Sequence, residues 1–254
     1  MQFTEFEERC IKLVNDTDSR GKHCLRNAIN HINRAWALRQ IDANMAVFRA
    51  ITAEEEAASG LIYALKERNY ADSQKLDPRD HRHKSAVVPF IQILGKYLND
   101  LVKDHDLQPT LHILEADSEF STHLGVGLRV AVEGTERRVF PRPPLNFRTK
   151  ISGLVPSYKP QIEELVVAAG AKTIQEYVRN LANLRNQVLY AGPKGFPTIA
   201  DLKDEFFENR KRRVIAILNA YLLVQPYVEI QPFVQDAVHA LVAMLGIPQS
   251  VELY

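Results

Sequence analysis

Between Arg20 and Glu67 apolar side chains recur at three-and-four spacing through two successive stretches, separated by little more than a short turn around Asp42. Leu25, Ala28, Ile29, Ile32, Ala35 and Trp36 form the first stripe, and Phe48, Ile51, Ala58, Ile62 and Leu65 form the second. At 3.6 residues per turn each set lies on one helix face, and so short a connection packs the two helices side by side. A helical hairpin is therefore the frame on which the rest must build. Its second stripe carries one interruption, the carboxylate of Glu55.

Beyond a polar loop from Asn69 to Lys84, helical spacing resumes with Val87, Val88, Ile91, Leu94, Leu98 and Leu101, which predicts a third core helix. After Pro109 the period changes. From Thr122 to Glu133 the even positions Leu124, Val126, Leu128, Val130 and Val132 are apolar, and EGTE reads as a turn into Arg137 to Phe140. This predicts a β-hairpin, with further strands at Thr110 to Leu114 and Leu145 to Ile151, made irregular by Pro141, Pro143 and Pro144. Helical spacing returns at Gln161 to Ala169, Thr173 to Tyr190, Thr198 to Val224 and Pro232 to Leu245. The expected fold is mainly α: an antiparallel helical bundle in one domain over 1–254, with a small β-rich insertion at 108–152.

Lys and Arg total 32 against 31 Asp and Glu, a formal charge of +1, so no global field announces a nucleic-acid or membrane partner. A polyanion would have to be met by a local patch. The opening MQFTEFEERC is acidic and lacks the apolar core of a signal peptide, and the longest apolar run, Val214 to Val224, is far short of a membrane span. Cys10 and Cys24 lack zinc-site spacing and read as semi-buried thiols on helices, which fits a reducing cytosol. There is no P-loop, no Gly-x-Ser-x-Gly, no zinc-protease motif and no dinucleotide fingerprint, so neither a cofactor nor a metal is expected.

The predicted helix ending in NLANLRNQVLY repeats the anomaly of Glu55. Its stripe is Ile174, Tyr177, Val178, Leu181, Leu184 and Val188, and Arg185 falls about 40° from Leu181 on an ideal helix, within the apolar face. An unpaired buried charge costs several kcal/mol. Glu55 and Arg185 are thus expected to meet, and two readings of the pair stay open: an ion pair that fixes helix register, or a polar cleft in which Arg185 holds an anion and Glu55 positions it.

The segment LRNAINHINRAWALRQIDANMAVFRAITAEEEAASGLIYALKERNY, with two helices, a short turn, an alanine-rich second helix and the cluster Glu54 to Glu56, resembles the opening hairpin of HEPN domains. Within that superfamily it is most similar to the abortive-infection (AbiV-like) and toxin branches. The resemblance covers these residues and, more loosely, the helix ending in LRNQVLY. It implies a helical bundle that dimerises, and a metal-independent ribonuclease with an Arg-x4-6-His motif in which Asn often follows the Arg. Arg185 and Asn186 fit that motif, but Tyr190 stands where histidine is expected and stretching the spacing reaches Gly192. Tyrosine is a poor base at neutral pH, though it can donate a hydrogen bond or stack on a nucleobase.

Metal-free RNA cleavage needs a base for the 2′-hydroxyl, an acid for the leaving oxygen and a cation for the phosphorane charge. The densest source of imidazole is DPRDHRHKSAVVPF, where His81 or His83 could replace the motif histidine and Arg79 and Lys84 could bind phosphates; a solvated loop is the plainer reading. His81 and His83 do not share a helix face, which argues against a metal pair. The insertion carries Arg129, Arg137, Arg138, Arg142, Arg148 and Lys150 around Phe140 and Phe147, a pattern that suits single-stranded RNA or a solvated sheet face. NRKRR at 209–213 reads as the exposed side of a helix, and AGPKGFP as a helix stop.

The sequence thus supports two expectations. One is a cytoplasmic, homodimeric, RNA-acting protein of a toxin or phage-defence setting, answering to a protein antitoxin or a phage-encoded trigger. In that expectation Arg185, Asn186, Glu55, His81 and His83 are catalytic, and Tyr190, Arg79, Lys84, Arg137 and Arg138 bind substrate. The other is a non-catalytic HEPN-like module that recognises a protein partner or a nucleotide.

Overall fold

A computed structural model describes residues 1–104, 108–132, 135–148, 158–191, 195, 197, 199 and 202–249. The predicted hairpin is α2 (Gly21–Leu38) and α3 (Ala43–Glu67), preceded by α1 (Glu5–Asp16). Asp42 caps α3 by accepting from the Met45 amide at 2.9 Å, and Thr4 caps α1 in a reciprocal box with Glu7. Near the far end of the hairpin the backbones close up at Gly21 and Gly60. A Cβ on Gly21 would stand 2.5 Å from the Gly60 carbonyl oxygen, so this crossing requires glycine.

The remaining helices are α4 (His81–Asp104), α5 (Lys159–Ala168), α6 (Ile174–Leu189), α7 (Asp204–Val224) and α8 (Pro232–Met244). α3 is the hub, packing on α2, α4, α6 and α7. Its inward positions are mostly alanine (Ala50, Ala53, Ala57, Ala58 and Ala64, all fully buried), and these small side chains let several helices approach one axis. The core also takes in Tyr158, Phe207, Leu218, Tyr221 and, from the sheet, Leu124.

The insertion is a three-stranded antiparallel sheet in the order β1 (Thr110–Leu114), β2 (His123–Val132), β3 (Thr135–Val139). The strand expected at Leu145 to Ile151 does not form over its described part, residues 145–148. Instead the Leu145 amide donates to Gln231 Oε1 at 2.9 Å and Phe147 stacks on Phe233, because the prolines just before leave no regular ladder to join. Two helices start at points other than expected. α4 begins at His81 rather than after Lys84, because Asp80 Oδ1 accepts from the Arg82 amide at 2.7 Å as a cap. α7 begins at Asp204 rather than Thr198, with Asp204 and Glu205 in its first turn. Glu133, Gly134, Lys150, residues 192–194 and most of AGPKGFP lie outside the described residues.

No helix among the described residues is long and apolar enough to cross a membrane.

Candidate functional site

Three consecutive glutamates on α3 point to three different neighbours, as a 100° turn per residue requires. Glu54 faces α7, Glu55 faces α4 and α6, and Glu56 accepts from the Asn27 amide of α2 at 2.9 Å. Glu55 is 3% exposed, and three cationic or imidazole groups meet its carboxylate. His81 Nδ1 lies 3.0 and 3.1 Å from its two oxygens, Arg185 Nη1 lies 3.5 Å away and Lys84 Nζ lies 3.5 Å away. Glu55 and Arg185 therefore do meet, and His81 joins them.

Local chemistry explains how a loop histidine arrives there. One turn beyond Glu55, Ser59 Oγ donates to the Pro78 carbonyl at 3.0 Å, and Lys66 Nζ donates to Leu76 O at 2.9 Å, so the loop lies pinned along α3. The Asp80 cap then starts α4 above Glu55. His81 and Lys84 are three residues apart and share the face turned to α3, whereas His83 points back at the loop and accepts from the Asp77 amide at 2.9 Å. Burial pushes the His83 pKa below the usual histidine value, in keeping with a neutral acceptor. On the other side α6 is held in register by Asn44, whose amide donates to Val188 O and Pro197 O, and by packing of Val47, Ile51, Leu184 and Val188.

The bond pattern fixes the role of each atom. Arg185 Nη2 lies 3.1 Å from His81 Nε2, and a guanidinium only donates, so Nε2 is an acceptor and Nδ1 carries the proton given to Glu55. A carboxylate that orients an imidazole through one nitrogen leaves the other nitrogen's lone pair free to act as a base. Here that lone pair faces the Arg185 guanidinium, which also sits 5.6 Å over the Phe48 ring. The His81 side chain is 40% exposed and that of Arg185 25%, so the pair opens to solvent above a buried carboxylate.

Beside this triad lies a second ion cluster that the sequence reading placed wrongly. NRKRR does not form a solvated helix side: Arg210 pairs with Glu54, Arg213 Nη1 lies 3.4 Å from the same carboxylate, and Lys211 is buried with its Nζ 2.9 Å from Glu208. Arg210 and Arg213 are three residues apart, the spacing that could have marked them as one face aimed at one acid. A cavity of about 30 Å³, room for about one water, lies between the clusters and is lined by Glu54, Glu55, Lys84, Tyr177, Arg210 and Arg213 among others. Burial raises the Tyr177 pKa, while Arg213 and Arg210 oppose it. Four fixed cations, Lys84, Arg185, Arg210 and Arg213, thus face two carboxylates, and the surplus positive charge favours an anion.

Other expected site residues lie elsewhere. Tyr190 caps the C-terminus of α6 and is 67% exposed; Asn186 and Arg79 are exposed, and Arg137 and Arg138 lie on β3. Among the described residues no group of three or more His, Cys, Asp or Glu could hold a metal ion. Comparison of the chain with protein-family models, with curated proteins and with solved structures returned no match.

Proposed function

We propose that the protein cleaves RNA without a metal ion, using Glu55, His81 and Arg185. The observation that supports this reading is the imidazole of His81, held by a buried carboxylate at Nδ1 and presenting Nε2 to an arginine. An incoming phosphodiester draws the guanidinium to itself and uncovers Nε2. His81 then takes the 2′-hydroxyl proton as the 2′-oxygen attacks phosphorus, the bond to the 5′-oxygen breaks, and the departing oxygen takes a proton from water. Arg185 balances the phosphorane charge, and Arg213, the most open cation of the neighbouring cluster, extends the field. The products are a 2′,3′-cyclic phosphate and a 5′-hydroxyl.

On this reading His81 takes the place of the motif histidine, and Tyr190 has no part in proton transfer. The setting, a toxin or phage-defence system with a protein antitoxin or a phage-encoded trigger, rests on the HEPN resemblance, as does a homodimer. Light scattering at tens of micromolar protein tests the homodimer, and a monomeric mass rejects it.

The activity is tested by incubating mixed-sequence RNA with the protein in EDTA and identifying product ends by mass spectrometry. Cyclic phosphate ends are expected. RNA left intact across diverse sequences would instead support the binding module, in which the ion cluster fixes helix register.

A further inference from the structure

We propose that the outer face of the β-sheet is a docking surface for single-stranded RNA. Leu124 and Ile113 of one sheet face pack into the core, so the alternate residues of each strand face the other way. At the free end of that second face stand His112, Arg129, Arg138 and Phe140. A Cβ on Gly127 would meet Phe140 Cε1 at 2.9 Å, His112 Cδ2 at 3.0 Å and Arg138 Cδ at 3.1 Å, so all three side chains converge over the bare backbone of this glycine. The Phe140 and His112 rings meet edge to face at 5.3 Å, and Phe140 stays 36% exposed.

Arg129 and Arg138 are directly opposed across β2 and β3, and both are exposed. Like charges in that position destabilise a sheet. No ion pair joins either to a carboxylate among the described residues; Glu136, on the same face, stands opposite Ala131. Charges on an edge strand discourage aggregation, which accounts for β3, but Arg129 belongs to the central strand, where no edge needs protection. What relieves two opposed guanidinium groups beside an aromatic pair is a polyanion with flat rings. Single-stranded RNA offers both in alternation: phosphates for Arg129 and Arg138, a base for Phe140 and His112. Phe147 takes no part, since it is stacked on Phe233.

This surface rests on the RNA-cleavage reading for its biological sense, but its test is independent of cleavage. Binding of the full chain to a fluorescent 2′-O-methyl oligonucleotide, which has no free 2′-hydroxyl, is followed by anisotropy at several salt concentrations. Phe140→Ala is expected to weaken binding roughly 5- to 150-fold, the loss of one base stack. Arg129→Ala and Arg138→Ala should each lower the salt slope by about 0.7. Arg137→Ala, on the opposite face, should change either quantity less. A duplex RNA and single-stranded DNA serve as competitors, and vesicles with anionic headgroups as an alternative partner. Wild-type affinity in Phe140→Ala and Arg138→Ala, or binding to vesicles but not to the oligonucleotide, would overturn the proposal even if the protein cleaves RNA. Binding that depends on these residues would uphold it even if cleavage fails.

Discussion

Two groups of arginines in this molecule stand in contrasting surroundings. In the helical body Arg185, Arg210 and Arg213 are held against Glu54 and Glu55. On the sheet Arg129 and Arg138 stand opposite each other with no ion-pair partner among the described residues, and Arg138 converges with Phe140 and His112 over Gly127. The first group is gathered around two buried carboxylates before any ligand comes, so its positive charge stands beside His81, and Arg185 has only to turn from His81 Nε2 to a phosphate. The second is adaptable and exposed, which suits tracking a flexible strand. In the body, removing an arginine takes a partner from a buried carboxylate; on the sheet, it relieves repulsion.

The largest expected contrast is in stability. Arg210→Met leaves the buried Glu54 with the partly exposed Arg213 alone, and breaking a buried pair costs about 3 to 5 kcal/mol. Urea denaturation should show that loss, and a change below about 1 kcal/mol would mean that Arg210 is not a buried partner of Glu54 in solution. Next comes chemistry: Arg185→Ala should slow RNA cleavage by about 100-fold or more, corresponding to about 2.7 to 4 kcal/mol of lost charge stabilisation. Folding of this variant is checked by circular dichroism, since Lys84 and His81 remain to hold Glu55.

A smaller effect concerns acid. Burial lowers the pKa of His83 and, with Arg49 adding to it, that of His31. A lowered folded-state pKa means the unfolded chain binds the extra protons first. The stability this contributes is whole above about pH 6.5 and is lost as pH falls from there toward the folded-state values. The melting temperature should therefore drop between pH 7.5 and pH 5.5, and His83→Gln should flatten part of that drop. The smallest effect belongs to the sheet: Arg138→Ala should leave stability within about 0.5 kcal/mol of wild type, on either side.

Residues that break a local pattern were legible in the sequence. Glu55 and Arg185 each interrupt an apolar stripe, and a buried charge requires a partner, so their meeting follows from helix geometry and burial alone. Elements also read well where the period was long: the hairpin, α4, α6 and the β2–β3 ladder. Contacts made across a loop did not. Nothing in DPRDHRHKS says that Ser59 anchors Pro78, and without that anchor His81 and His83 were equal candidates. Only the pinned loop sends His81 to Glu55 and turns His83 to the Asp77 amide. The pairing of Arg210 and Arg213 with Glu54 was missed for a related reason. A run of five polar residues looks solvated, and only the packing of α7 shows that Arg210 and Arg213 turn to Glu54 and that Lys211 is buried. On the sheet the basic and aromatic residues were all visible, but their sorting between faces needed the register of β2 on β3 and the bare surface of Gly127.

In the proposed cleavage reaction His81, rather than a residue at the end of α6, carries the proton. The cleavage rates of His81→Ala and Tyr190→Phe against wild type, on one RNA substrate in EDTA at neutral pH, separate the two assignments. His81→Ala should be slower by about 100- to 10,000-fold, the range for loss of a general base, and Tyr190→Phe should match wild type. A folded His81→Ala protein that cleaves at the wild-type rate, or a Tyr190→Phe protein that has lost activity, would contradict the assignment and return the proton transfer to α6.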